Sequence, residues 1–384
     1  MAALTFKFRR KEASFCSRST VVQRLLGTTS FNGSLSLYGT DGSLLATAIN
    51  ATDLHLTYTP TNSGTFTAVV SSFPAAGTGN YVLHYLKIPG GFIVPVSDQG
   101  GALTNGANHP GTIDLADMDP WTFTANSGAT VLLRLGTTGF NGSLSLYGPD
   151  GALLASALNA ADRRIAYSTT NSGTFTVVVS SFPNNGIGTY VLHYFQIPGA
   201  FIVPAGDQGG AMSGSPSYTG NIDLADEDVW TFTACKGDRI VLQLNTTNFN
   251  GLLNLYGANG ALLQSAINSA SLNITYQATN CPPFSVLVAS YPDNGTGTYT
   301  LAVNGLSDAL KLCIPTISGT NLNLSGIGGP SNATFVLFSA TNVTTPLPQW
   351  TPITTNAFDQ FGVFFHTNRY DPAQRQQYFR LRTP

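Results

Sequence analysis

One phrase recurs three times along this chain at a fixed interval. It reads LLGTTSFNGSLSLYGTDG at 25–42, RLGTTGFNGSLSLYGPDG at 134–151 and QLNTTNFNGLLNLYGANG at 243–260. Tyr38, Tyr147 and Tyr256 stand 109 residues apart, as do Gly33, Gly142 and Gly251, and Tyr81, Tyr190 and Tyr299. Aligning 26–85 with 135–194 needs no gap and leaves 43 of 60 positions identical. The period is too long for a solenoid or propeller blade, which repeats every 20–50 residues or so. It is long enough for each copy to bury a core of its own. The repeat therefore predicts a tandem array of domains.

Within a copy the pattern is all β. In WTFTA (121–125), Trp121, Phe123 and Ala125 alternate with two threonines, and VLLRL, SLSLYG, GTFTVVVSSF and GTYVLHYF follow. Alternation with period two marks strands with one buried face. NSG, FNG, PDG and NNGIG punctuate the runs as turns. Seven or eight short strands in about 100 residues predict an antiparallel β-sandwich of the jelly-roll or immunoglobulin-like kind. The expected organisation is an incomplete first repeat (1–88, with 1–20 aberrant), a linker (89–101), a second repeat (102–197), a linker (198–210), a third repeat (211–306) and a small unrelated β module (314–384). The linkers IPGGFIVPVSDQGG and IPGAFIVPAGDQGG bracket an apolar triplet with prolines, so Phe92 and Phe201 are expected to dock on a neighbouring sheet.

The first copy departs from the others. Subtracting 109 from DLADMDPWTF lands on TFKFRRKEAS, which has neither the acidic run nor the tryptophan. A strand is expected to be missing or rewritten there, with the chain starting inside a longer gene product or after a frame error.

Composition excludes several classes. Charged residues make up only 9 % of the chain and the formal charge is −2, so nothing favours a nucleic-acid partner. No apolar run is long enough for a membrane-spanning helix. The start of the chain is basic but lacks the apolar centre of a secretory signal. No nucleophile elbow, zinc-protease motif or phosphate loop is present. His84 and His193 sit in YVLHY, facing away from Tyr190, Leu192 and Tyr194, and read as structural or surface histidines. No catalytic residue is expected.

Two sets of acidic residues, Asp114, Asp117 and Asp119 in DLADMDPW and Asp223, Asp226 and Asp228 in DLADEDVW, could supply oxygens to calcium. The favoured reading is that they bond free backbone N–H groups where a strand begins. Cys235 and Cys281 appear together in the third copy, where the second has Asn126 and Ser172. That paired gain favours a Cys235–Cys281 disulfide, with Cys281–Cys313 and free thiols as alternatives. Phe140 and Phe249 in the FNG turns, and Phe182 and Tyr291 before a proline, are candidate ligand-contact aromatics or plugs for the sandwich ends.

The run from GTIDLADMDPWTFTANSGATVLLRL through LSLYGPDGALLA to TNSGTFTVVVSSFPNNGIGTYVLHY resembles the bacterial pre-peptidase C-terminal domain. It shares a D-x-D-x-aromatic strand start, an L-x-L-Y-x-x-x-G hairpin, a G-T-aromatic strand and a closing G-x-Y strand. The resemblance covers about three-quarters of the chain. It implies a secreted sandwich that accompanies catalytic domains without doing chemistry, some relatives binding collagen or polysaccharide and some calcium near the first strand. The segment ISGTNLNLSGIGGPSNATFVLFSATN with QWTPI and QQYFRLRTP looks like a terminal module of large secreted bacterial proteins. The expected function is a non-catalytic extracellular or cell-surface array, acting as spacer, adhesin or surface-binding segment toward polysaccharide or protein. The alternative is an ancillary substrate-binding region of a secreted peptidase or other hydrolase.

Overall fold

The computed structural model describes residues 2–8, 21–212, 217–280, 283–306, 310–369, 371–374 and 376–383. The protein is an all-β sandwich protein, and each sheet draws its strands from one repeat or from the C-terminal module. The chain divides into two compact units. The first holds Met1–Pro204 with Leu224–Asp226, and the second holds Ala205–Asp223 with Glu227–Pro384.

In the first unit, the second repeat is complete. One sheet orders its strands Leu153–Ala160, Gly142–Tyr147, Gly173–Ser181, Met118–Ala125 and Gly101–Ala102. The other orders them Asp162–Ser168, Thr130–Thr138, Gly188–Ile197 and Asn108–Ile113. All pairings are antiparallel except the short edge Gly101–Ala102, which runs parallel to Trp121–Thr122. The alternation read from sequence sets the core. Trp121, Phe123 and Ala125 face Val131, Leu133 and Leu135, together with Leu144, Leu146, Phe175, Val177, Val179, Tyr190, Leu192 and Tyr194. Phe123 and Phe175 stack with ring centroids 5.2 Å apart. Each large side chain buried this way contributes roughly 1.5–3 kcal/mol.

The recurring phrase is a turn device. The hydroxyl of Thr137 donates to the carbonyl of Phe140 at 2.6 Å, and Thr28 and Thr246 do the same to Phe31 and Phe249. The Asn of FNG donates to a second Asn eighteen residues on, in Asn32–Asn50, Asn141–Asn159 and Asn250–Asn268. Those second Asn residues adopt positive φ (67°, 65° and 64°), a conformation that asparagine tolerates better than most side chains. The Gly of FNG is fixed by contact: a Cβ on Gly142 would meet Leu135 at 2.8 Å.

The first repeat keeps the same plan with fewer strands. Its described sheets order as Ala2–Phe8, Gly64–Ser72, Gly33–Tyr38, Leu44–Ala51 and as Asp53–Tyr58, Val21–Thr28, Tyr81–Ile88. The strand expected to be missing or rewritten is present in a rewritten sequence. Ala2–Phe8 pairs antiparallel with Gly64–Ser72, setting Leu4 opposite Ala68 and Phe6 opposite Phe66. In the second repeat Trp121 lies opposite Val177 and Phe123 opposite Phe175. Leu4-Thr5-Phe6 thus takes the register of Trp121-Thr122-Phe123, eight residues earlier than a rigid 109-residue period places it. The ungapped alignment therefore missed it. Residues 9–20 lie outside the described residues.

The joints are partly docked. Phe92 packs against an apolar cluster of Val21, Leu25, Leu86, Ile88, Ala116 and Met118. Phe201 meets Phe195 edge-on, at 4.7 Å between centroids. The rest of each triplet is not covered: Ile93 is 91 % exposed and Ile202 52 %. Asn105 holds the second joint, donating to the carbonyls of Gln196 and Ala200.

In the second unit the third repeat repeats this architecture, with Phe232 stacked on Phe284 at 5.3 Å. The C-terminal module has one sheet of Lys311–Leu312, Thr316–Ser318, Asn321–Ile327 and Phe364–Arg369, and another of Thr351–Ala357, Thr334–Ala340 and Tyr378–Arg382. Its core is Leu322, Leu324, Phe335, Leu337, Phe358 and Phe364. Its pairing begins at Lys311, three residues before the expected boundary.

Candidate functional site

The acidic strand start combines bonded and unsatisfied oxygens. Asp119 is fully buried, and its Oδ2 accepts the Tyr190 hydroxyl at 2.5 Å. Tyr190 in turn accepts the indole N–H of Trp121 at 3.1 Å. The third repeat copies this chain of bonds: Trp230 donates to Tyr299 at 3.0 Å and Tyr299 to Asp228 at 2.6 Å. The D-x-W and G-x-Y motifs thus meet across the sandwich and tie its two sheets together. Burial pushes Asp119 up to about 9, and the neighbouring Asp117 and Asp98 carboxylates add to the rise.

The Oδ1 of Asp119 is buried without a hydrogen-bond partner, and Asp117 shows the same split. One oxygen accepts the backbone N–H of Asp114 at 3.3 Å, which is the backbone-capping role expected of such an acid. The other, Oδ1, is buried without a hydrogen-bond partner. Burial raises the Asp117 pKa, and the charge of Asp98 raises it further. His84, Asp98 and Asp117 each offer a ligand atom within 4.8 Å of the others. They border a cleft of about 540 Å³ with Phe92, Leu115 and Pro120.

Asp98 reaches this place through the DQGG of the joint. Gln99 accepts the N–H of Thr112 at 2.7 Å, and Gly100 lies so close to the Pro120 carbonyl that a Cβ would come within 2.5 Å of it. Sequence reasoning passed over Asp98, although DQGG recurs at 98–101 and 207–210. In the second unit Gln208 likewise accepts the N–H of Asn221 at 2.7 Å.

Of the other expected calcium ligands, Asp114 and Asp223 are exposed, and Asp223 accepts from Asn221. Asp226 is half-buried, and Asp228 is fully buried and bonded to Tyr299. The anticipated set Asp114, Asp117 and Asp119 is therefore not assembled as an all-oxygen site. Asp114 points to solvent, Asp119 gives its Oδ2 to Tyr190, and an imidazole stands beside Asp117.

His193 and His109 are structural in their surroundings. His193 is 4 % exposed, and burial, with Arg134 alongside, pushes it down to about 4. His109 accepts the Thr104 N–H at 3.0 Å and lies edge-on to Trp121. Phe140 and Phe249 are buried in the sandwich cores, as plugs rather than contact residues. Phe182 and Tyr291 are 41 % and 37 % exposed, each before a cis-proline, and Phe73 repeats the arrangement at 40 %.

The expected Cys235–Cys281 bond is not formed. Cys235 is bonded to Cys313, with their Cα atoms 5.3 Å apart. The two turns that suggested the first pairing are indeed neighbours in the second repeat, where Ser127 donates to Ser172. After the third repeat, however, the chain passes Cys235 and buries Cys313 against it with Ile327 and Val363. Lys311 adds an ion pair to Asp238 at 2.9 Å. Cys281 lies outside the described residues. No helix among them is long and apolar enough to cross a membrane.

No family model and no curated protein matches this chain. Among solved structures, a crystal structure of tripeptidyl peptidase 2 aligns over 95 % of this chain and 34 % of that chain. The identity is 7 % and the TM-score 0.20, a likeness too slight to carry an argument.

Proposed function

We propose that this chain is a non-catalytic array of extracellular β-sandwich modules of the pre-peptidase C-terminal type, serving as a surface-binding segment of a secreted bacterial protein. The observation that carries the reading is the exposed aromatic before a cis-proline in the same loop of all three repeats: Phe73, Phe182 and Tyr291. Exposed rings offer stacking faces to sugars or anchors to a protein surface. Three weak sites on one chain raise avidity without any new contact. The disulfide fits an oxidising compartment. The groups that attract a catalytic reading, His193 and the Asp119–Tyr190–Trp121 chain, are consumed by packing and by bonding to each other.

The test is pull-down of the full chain on insoluble polysaccharides and on collagen, beside the triple variant F73A/F182A/Y291A. Retention of the parent and loss in the variant is the expected result. Equal retention of both, or turnover of generic peptide or glycoside substrates by the chain, overturns the reading.

A further inference from the structure

We propose that His84, Asp98 and Asp117 form a site for a divalent metal ion of the zinc class, which clips the first repeat to the second. The three donors come from three segments. His84 lies on the closing strand Tyr81–Ile88 of the first repeat, Asp98 on the joint, and Asp117 at the start of a core strand of the second repeat. A bound ion would therefore hold segments that nothing covalent holds beyond the joint itself.

The case rests on Asp117. Its side chain is only 7 % exposed, and its Oδ1 has no hydrogen-bond partner, though a buried carboxylate oxygen normally finds one. That oxygen lies 4.0 Å from Nδ1 of His84. The distance is too long for a hydrogen bond. It suits two ligands of one ion, since two bonds of about 2 Å set their outer atoms roughly 3–4 Å apart.

The donor set favours zinc over calcium. Calcium takes roughly six to eight oxygens and gains little from an imidazole. One imidazole and two carboxylates, with a side open to water, are the donors of a zinc-class ion. Of the acids in the same run, Asp114 is exposed and Asp119 gives its Oδ2 to Tyr190, and Asp117 is the one grouped with His84 and Asp98. The cleft beside the group gives an ion a route in.

The experiment is titration calorimetry and thermal melting of the chelator-treated full chain with zinc chloride and, separately, calcium chloride. Zinc is expected to bind and to raise the midpoint by several degrees. His84→Gln and Asp117→Asn should each weaken zinc by about tenfold or more, while His366→Gln, at a half-buried strand position of the C-terminal module, leaves it unchanged. Melting in chelator shows whether the variants remain folded. Cobalt in place of zinc should give visible bands of mixed nitrogen and oxygen coordination that His84→Gln abolishes. The proposal is overturned if zinc gives no heat and no shift. It is also overturned if His84→Gln binds zinc as the parent does, or if calcium binds as tightly as zinc and ignores the loss of His84.

Discussion

Asp53 and Asp162 are the same residue in two copies, 109 positions apart, and they live in different electrostatic surroundings. Each accepts the backbone N–H of an alanine 63 residues later, Ala116 at 3.1 Å and Ala225 at 3.2 Å. Each of those alanines has positive φ, 57° and 63°. The geometry has been copied, but the charge balance has not. Asp162 is gripped by the fully buried Arg134, whose Nε and Nη2 donate to its two oxygens at 2.9 Å each, while Nη1 reaches the carbonyl of Asp226. At the register of Arg134 the first repeat has Leu25, which is 3 % exposed. Asp53 therefore keeps an oxygen with no hydrogen-bond partner among the described residues, and burial pushes its pKa up to about 6. A turn can be inherited as a backbone shape while the ion that neutralises it is lost by a one-residue change: RLLG at 24–27 stands where LRLG stands at 133–136.

The largest effect should come from making the second place resemble the first. Arg134→Leu leaves the Asp162 carboxylate buried without its cation and should cost about 3–5 kcal/mol, read as a drop in the denaturant midpoint of the first unit. The reverse exchange, R24L/L25R, gives the first repeat the LRLG order. It should stabilise that repeat by about 1–2 kcal/mol at neutral pH, measured by the same unfolding. No gain would mean that Asp53 has found another means of neutralisation.

Asp53→Asn should give the smallest change, a gain on the order of 1 kcal/mol at pH 7. The amide still accepts from Ala116 and removes a buried charge. The pH dependence has a definite sign. A carboxyl whose pKa is higher folded than unfolded binds more protons in the folded state, so its ionisation costs stability. That cost is present above about 6 and disappears as pH falls from about 6 towards 4. The melting temperature of the parent should therefore carry an upward component on acidification through that window. Asp53→Asn removes this component, and the difference between the two curves isolates it from the other carboxylates.

The sandwich was legible because its signals are local. Alternation named Trp121, Phe123, Tyr190, Leu192 and Tyr194 as core, and the Asn and Gly of FNG named a turn. The calcium reading found Asp117 but grouped it with Asp114 and Asp119, its neighbours in sequence, and passed over Asp98 and His84, its neighbours in space. The first-repeat strand was missed because backbone register tolerates an eight-residue lengthening of the connection that an ungapped period does not.

By itself, the sequence determined the repeat, the two-layer packing within each copy and the turns that close it, because period-two burial and φ preferences act over a few residues. Only the tertiary structure decided that Cys235 takes Cys313, that Asp98 comes beside Asp117, that Trp121 reaches Asp119 through Tyr190, and that Arg134 neutralises one acid while its counterpart has no such partner among the described residues. Those outcomes depend on where distant segments arrive relative to one another. Arrival is set by joint length, by glycines that permit close approach and by which face of a strand a single residue occupies.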